Sequence, residues 1–151
     1  MNKRSSDLPE KDHIVRYVKP TALREDGSAD GSAFLLRLNH KDDAGLSVNW
    51  LEVFGHDKRH QLEEVRRLCR LKLSRAGRFV EMNIGTVTRE IAKERDSVRI
   101  VHKPLEPKGG FEADPSHAEI SGLPPGNSDE AMLIGDLIAQ CIVSDHPTFN
   151  C

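Results

Sequence analysis

Short apolar stretches, some continuous and some alternating with polar residues, recur along this chain between glycine, proline and charge. Such a pattern predicts strands and helices in mixture. His13 to Val18 (HIVRYV) has the β-branched content of a strand and is closed by Lys19-Pro20. Ala33 to Leu38 (AFLLRL) is a near-continuous apolar run of strand length, which predicts a central strand covered on both faces. His40 to Gly45 is expected to turn in water. Leu46 to Phe54 (LSVNWLEVF) then puts Leu46, Val48 and Trp50 on one side of a strand. Trp50 is expected in the core with its indole N–H paired. Glu52, on the same side, must reach solvent, pair with a base or take a raised pKa, and is expected to reach water or an arginine, because a buried carboxylate needs a partner.

From Asp57 the period changes. Leu62, Val65, Cys69, Leu73 and Ala76 recur at intervals of three and four, predicting a helix from Asp57, its cap, to Ala76. Gly77 is placed to end it in the left-handed conformation, and Glu63 precedes Arg67 by four residues, the favoured order for a helical ion pair. Phe79 to Ile84 reads as a strand, Val87 to Glu94 as a short helix opened by Gly85-Thr86, and Ser97 to His102 as a strand. Together they suggest a β-α-β crossover. Ser128 is expected to cap a last helix running to about Ser144. Met132, Leu133, Ile134, Leu137 and Ile138 cover so much of its circumference that the sheet or another subunit must pack it.

The expected fold is therefore α+β. Residues 13–151 form a single compact domain, with about five strands in a mixed sheet packed by two long helices and one short one. Residues 1–12 are polar and are expected to form a flexible tail. A chain of 151 residues suits one domain and, at about this size, buries roughly 68–70% of its unfolded surface, so no disulfide or metal is needed to stabilise it.

Charge changes the picture locally. With 22 basic against 24 acidic side chains the net charge is −2, and no overall field draws nucleic acid or an anionic membrane. Residues 57–78, however, carry a net +5, and residues 105–136 a net −6. The basic helix and the acidic region are expected to attract each other, within one molecule or between two. The apolar runs fall short of the roughly 20 residues of a membrane span. The N-terminal MNKRSSDLPEKD lacks a signal-peptide core, so the chain reads as cytoplasmic. Three cysteines without a Cys-x-x-Cys pair give neither a disulfide framework nor a zinc site.

Candidate chemistry gathers between Ser97 and Leu123. His102 closes a strand, Gly109-Gly110 allows the chain to double back, and Asp114, His117 and Glu119 follow within a few residues. In one reading the two imidazoles converge as a general acid–base pair or as ligands of one divalent metal, with the carboxylates orienting them. In the other, each imidazole bonds local backbone and fixes the shape of the loop. Ser116 and His117 are neighbours in an extended segment and point apart, and no G-x-S-x-G turn is present, so serine-hydrolase chemistry is not expected. His56 and His60 share helical spacing but lack the glutamate of a zincin motif. Neither Gly85-Thr86 nor Gly109-Gly110 belongs to a phosphate-binding motif.

Two functions fit these features. One is an accessory or regulatory subunit that binds another protein or a second copy. The basic helix suits an acidic protein partner better than nucleic acid, because acids interleave with its cations. The other is a small enzyme acting on a phosphate-bearing or nucleotide-like substrate, with His102, Asp114, His117 and Glu119 at its centre and Arg16 and Arg99 holding the anion. No cofactor or metal is assigned.

Overall fold

A computed structural model of the chain describes residues 7–36 and 45–149. Among these residues six strands form one sheet: β1 (His13–Val18), β2 (Leu46–Trp50), β3 (Arg78–Asn83), β4 (Arg99–His102), β5 (His117–Ser121) and β6 (Ile142–Pro147). Three α-helices accompany them: α1 (Lys58–Leu68), α2 (Ile84–Ala92) and α3 (Asp129–Gln140). The strand order is β4-β5-β2-β1-β3-β6, and each adjacent pair is antiparallel. The α+β class holds, but the expected mixed sheet of about five strands is corrected to a six-stranded antiparallel one. The alternation leaves β3 and β4 running in the same direction, so α2 does make a crossover. Three strands nonetheless separate the pair, and no parallel ladder forms.

Cross-strand partners share a face, so the register sorts the sheet into two sides. Ile14, Val80, Met82, Val48, Ile100, Ala118 and Ile120 face α2 and α3 and join Ile84, Val87, Ile91, Ile134 and Ile138 in the larger core. Val15 and Phe79 face the other way and pack with Leu51 and with Leu62 and Val65 of α1. The result is three layers, with α2 and α3 on one face of the sheet and α1 on the other.

Several sequence expectations are corrected. Residues 33–36 are not a central strand: Gly31–Phe34 is a 3₁₀ turn capped by Asp30, whose side chain accepts the Ser32 N–H. Leu35 and Leu36 follow in no regular structure, and the rest of that run and the 40–45 turn as far as residue 44 lie outside the described residues. The apolar character is explained by where the turn packs, with Ala33 and Phe34 buried in the larger core. Leu46–Trp50 is a strand as expected, but Leu51–Phe54 leaves it as a 3₁₀ turn that ends at Gly55. α1 stops at Leu68, well before Ala76, because tertiary bonds capture the following residues. Arg70 reaches the Glu106 and Glu112 carbonyls, and the Ser74 N–H donates to the Tyr17 hydroxyl. Gly77 therefore caps no helix. Its lack of a side chain instead makes room for Tyr17, whose Cε1 would lie 2.7 Å from an added Cβ. Arg67 pairs with Glu64 and Glu112, while Glu63 pairs with Arg59.

α3 likewise ends at Gln140, and Ile142–Pro147 becomes β6. Ser128 caps α3 as expected, accepting the Ala131 N–H at 3.1 Å. Within the stretch 1–12, Leu8 and Asp12 are buried, and the Leu8 N–H donates to the Ile100 carbonyl at the β4 edge.

Candidate functional site

The segment between β4 and β5 doubles back through Gly109 and Gly110, which have φ of 55° and 87°. Two successive positive φ values make the turn that suits the twist of a hairpin, and glycine adopts them without strain. Bridges at Lys108↔Phe111 and Leu105↔Asp114 complete a short arm. Its base is pinned by Asp114, a buried carboxylate that accepts from the Ser116 N–H at 3.0 Å, the Ser116 hydroxyl at 2.7 Å and the Asn49 amide at 3.2 Å. Its outer side is pinned to α1 and to the residues that follow it. Arg70 bonds two carbonyls of the arm and lies 5.6 Å from the Phe111 ring centroid, and Arg67 pairs with Glu112.

These contacts answer the question posed by the charge distribution: the basic helix and the acidic region meet within one molecule. Other α1 cations are engaged too. Arg66 donates to the Pro147 carbonyl, and Lys58 lies 2.7 Å from Glu81. A helix whose cations serve as clamps presents little to a phosphate backbone. The N-terminus of α2 is occupied in the same way. The Ile84 and Gly85 N–H groups donate to the Asp12 and Glu10 carbonyls, and the Thr86 N–H donates to the Asn83 side chain.

The register separates the two histidines. His102 is paired with Ala118, which faces α2 and α3, whereas His117 is the next residue along β5 and faces the α1 side. His102 Nε2 lies 2.7 Å from the Pro115 carbonyl, and its ring packs edge-on against Trp50 at 5.2 Å between centroids. Because a carbonyl oxygen only accepts, Nε2 carries the proton. His102 thus bonds local backbone, the second of the two readings, and the pair does not converge on one reacting centre.

The other three candidates do gather. On the α1 side of β2 and β5, Asn49 stands opposite His117, and Ser47 stands opposite Glu119. His117 Nδ1 lies 2.8 Å from the Lys103 carbonyl, so it is the protonated nitrogen, and Nε2 faces the Ser47 hydroxyl at 3.2 Å. Glu119 is buried and accepts from the Gly45 N–H at 3.0 Å and from the Lys103 ammonium at 3.1 Å. Asp114 joins this strip through Asn49, which also donates to Ser116. Of the proposed anion holders, Arg16 donates to the Ala33 and Ser47 carbonyls, and Arg99 pairs with Asp7 at the β4 edge. They stand well apart in the fold and do not flank a common centre with His102.

Sequence reasoning missed Ser47 and Lys103. Only the β2–β5 register brings Ser47 to His117, and nothing in their separation of 70 residues announces it. It also missed a carboxylate–imidazole pair at the start of β1. Glu52 accepts the His13 backbone N–H through Oε1 and the His13 Nδ1–H through Oε2, each at 2.7 Å. Glu52 thus finds a histidine rather than water or an arginine. Trp50 is paired as expected, its indole N–H donating to Asp12 at 2.9 Å. Among the described residues, no group of three or more His, Cys, Asp and Glu side chains is arranged to hold a metal ion. Burial pushes the thiols of Cys69 and Cys141 up, away from thiolate chemistry. No helix among the described residues is long and apolar enough to cross a membrane. Comparison with family models, with curated proteins and with solved structures finds no match to this chain.

Proposed function

We propose that the protein is a small cytoplasmic accessory or regulatory module that works by binding another protein, and that the partner docks on the outer flank of α3. The observation that carries this reading is the exposure of two adjacent apolar side chains, Met132 at 39% and Leu133 at 46%, on a helix whose opposite side is fully packed. Ala131, Ile134 and Ile138 supply that packed side, so the fold itself gives Met132 and Leu133 no role. Adjacent exposed apolar residues beside a polar rim are the usual core of a docking patch.

The rim sets the partner's chemistry. α3 carries Asp129, Glu130 and Asp136 and no lysine or arginine; Arg95 already pairs with Glu130, and the remaining acids favour an apolar segment flanked by basic residues. The free edge of the sheet is a poorer docking place. β6 leaves Val143 62% exposed, but a register irregularity, Asp145 and the terminal Pro147 all obstruct the addition of a further strand.

A paired experiment tests the reading. Light scattering over a range of concentrations reports self-association, and affinity capture is run with wild type and with Met132→Asp/Leu133→Asp side by side. The expected result is a partner, or a second copy, held stoichiometrically by wild type and lost by the double variant. A strictly monomeric protein whose captured proteins are the same for both forms would contradict it.

A further inference from the structure

We propose that the outer edge of β4 is a docking edge for an extended peptide in which an acidic residue precedes a large aliphatic one, and that Asp7 and Leu8 of this chain occupy it as a built-in competitor. This edge lies at the opposite end of the sheet from β6, and the proposal does not depend on a partner at the flank of α3.

Three observations carry it. First, the two edges of the sheet are protected by different means. β6 is irregular in itself, with a register shift, Asp145 and Pro147. β4 is regular: its four residues pair with β5 without a shift, and none is a proline or glycine. A regular edge strand accepts a further strand unless something covers it. Asp7 and Leu8 are that cover, since Asp7 bridges Val101 in antiparallel register and the Leu8 N–H donates to the Ile100 carbonyl at 3.1 Å. Second, the cover displays what the edge recognises. Leu8 stands opposite Ile100 and is buried in the larger core. Asp7 lies on the other face, diagonal to Arg99, whose Nε and Nη2 approach one of its carboxylate oxygens at 2.9 and 2.8 Å. Main-chain bonds give a strand-adding peptide its affinity and alternate side chains its specificity, so an acid followed by an aliphatic residue matches this edge.

Third, the cover is detachable while its root is not. The Glu10 and Asp12 carbonyls accept from the Gly85 and Ile84 N–H groups, each at 2.9 Å, and the Asp12 carboxylate holds the Trp50 indole. Among the described residues, Asp7 and Leu8 are held by one backbone bond, one buried leucine and an ion pair whose side chains are 62% and 54% exposed. An ion pair so exposed contributes little. A segment with so few buried contacts opens locally far more readily than the core. Opening uncovers the Ile100 carbonyl, the Leu8 socket and the Arg99 guanidinium together, while the root stays in place.

The test titrates a fluorescein-labelled peptide, Ser-Thr-Asp-Leu-Thr-Val-Ser, with the full-length protein and follows anisotropy. Wild type is expected to bind it weakly. Leu8→Asp, which cannot seat its own cover, is expected to bind at least about tenfold more tightly, the scale of vacating one buried leucine site. Asp7→Lys keeps the leucine but repels Arg99, and shifts affinity the same way by a smaller factor. Lysine in place of the peptide's aspartate weakens binding to Leu8→Asp, and Leu8→Asp/Arg99→Glu reverses that preference. Circular dichroism establishes that each variant is folded. Wild type gives a readout that needs no variant, since saturating peptide should slow exchange of the Ile100 amide. Equal affinity of folded wild type and folded Leu8→Asp, no change in Ile100 exchange, or indifference to the aspartate–lysine replacement would overturn the proposal. Self-association of Leu8→Asp that the peptide does not reverse would also overturn it, because the edge would then belong to a second copy.

Discussion

Phe79→Ala is expected to destabilise the protein by about 3–5 kcal/mol, the range for emptying a large aromatic site in a core. Phe79 is 1% exposed and is the largest fully buried side chain in the cluster that joins α1 to the sheet. It contacts Tyr17, directly opposite on β1, with 5.9 Å between ring centroids. The site has little means of collapsing onto the lost volume, since β3 is paired with β1 on one side and with β6 on the other. For a chain of this size the loss corresponds to a fall in Tm of about 10 °C or more. Thermal and urea unfolding of Phe79→Ala and of a surface control, Leu133→Ala, check it. The control is expected within about 0.5 kcal/mol of wild type. A Phe79→Ala protein as stable as that control would mean that α1 is not seated as described.

The second large effect is a dependence on acid that traces to one carboxylate. Burial by itself raises the Glu81 pKa, but bonds from His146 and Lys58 outweigh it and hold the group at about 2, against an ordinary 4.5. The two oxygens are divided between partners, Oε1 to His146 Nε2 at 2.8 Å and Oε2 to the Lys58 ammonium at 2.7 Å. A carboxylate with a lowered folded-state pKa contributes stability that is fully present above its unfolded value and is lost as pH falls towards its folded value. The window here runs from about pH 4.5 down to about pH 2. The contribution is about 2–3 kcal/mol, kept below the full linkage figure because Lys58 is partly in water. Urea unfolding of wild type and Glu81→Gln at several pH values checks it. Wild type is expected to lead by that margin near neutrality, with the gap closing through the window. A constant gap, or one that widens on acidification, would contradict the assignment.

Much of the fold was legible because local pattern and tertiary context agreed. β1, β2, β3, β4, and the starts of α1 and α3 fall close to where periodicity and capping residues put them. Failures occur where a long-range contact overrides a local preference. α1 keeps an apolar stripe beyond Leu68, yet Arg70 and Ser74 are drawn to the arm and to Tyr17. The apolar run after Ala33 resembles a buried strand because burial, which periodicity does detect, is real there, while the backbone geometry is not extended pairing. β5 was concealed by its own chemistry. His117, Glu119 and Ser121 read as loop, and nothing local reveals that Gly45 and Lys103 satisfy a buried Glu119.

The candidate site shows the same division. The arm, its two glycines, and the grouping of Asp114, His117 and Glu119 follow from residue types in one stretch. Which face each side chain occupies does not. A strand's alternation makes that a matter of single-residue register, which only pairing with β2 and β4 decides. His102 and His117 were therefore joined in sequence reasoning by a loop that does allow a return, but to opposite sides of the sheet.

The most direct measurement is a nuclear Overhauser spectrum of the imidazole protons. His102 should show contacts to the Trp50 indole and His117 to the Ser47 β-protons, with none between the two rings. A cross-peak linking the His102 and His117 imidazoles would contradict the register on which the two-sided placement of these groups stands.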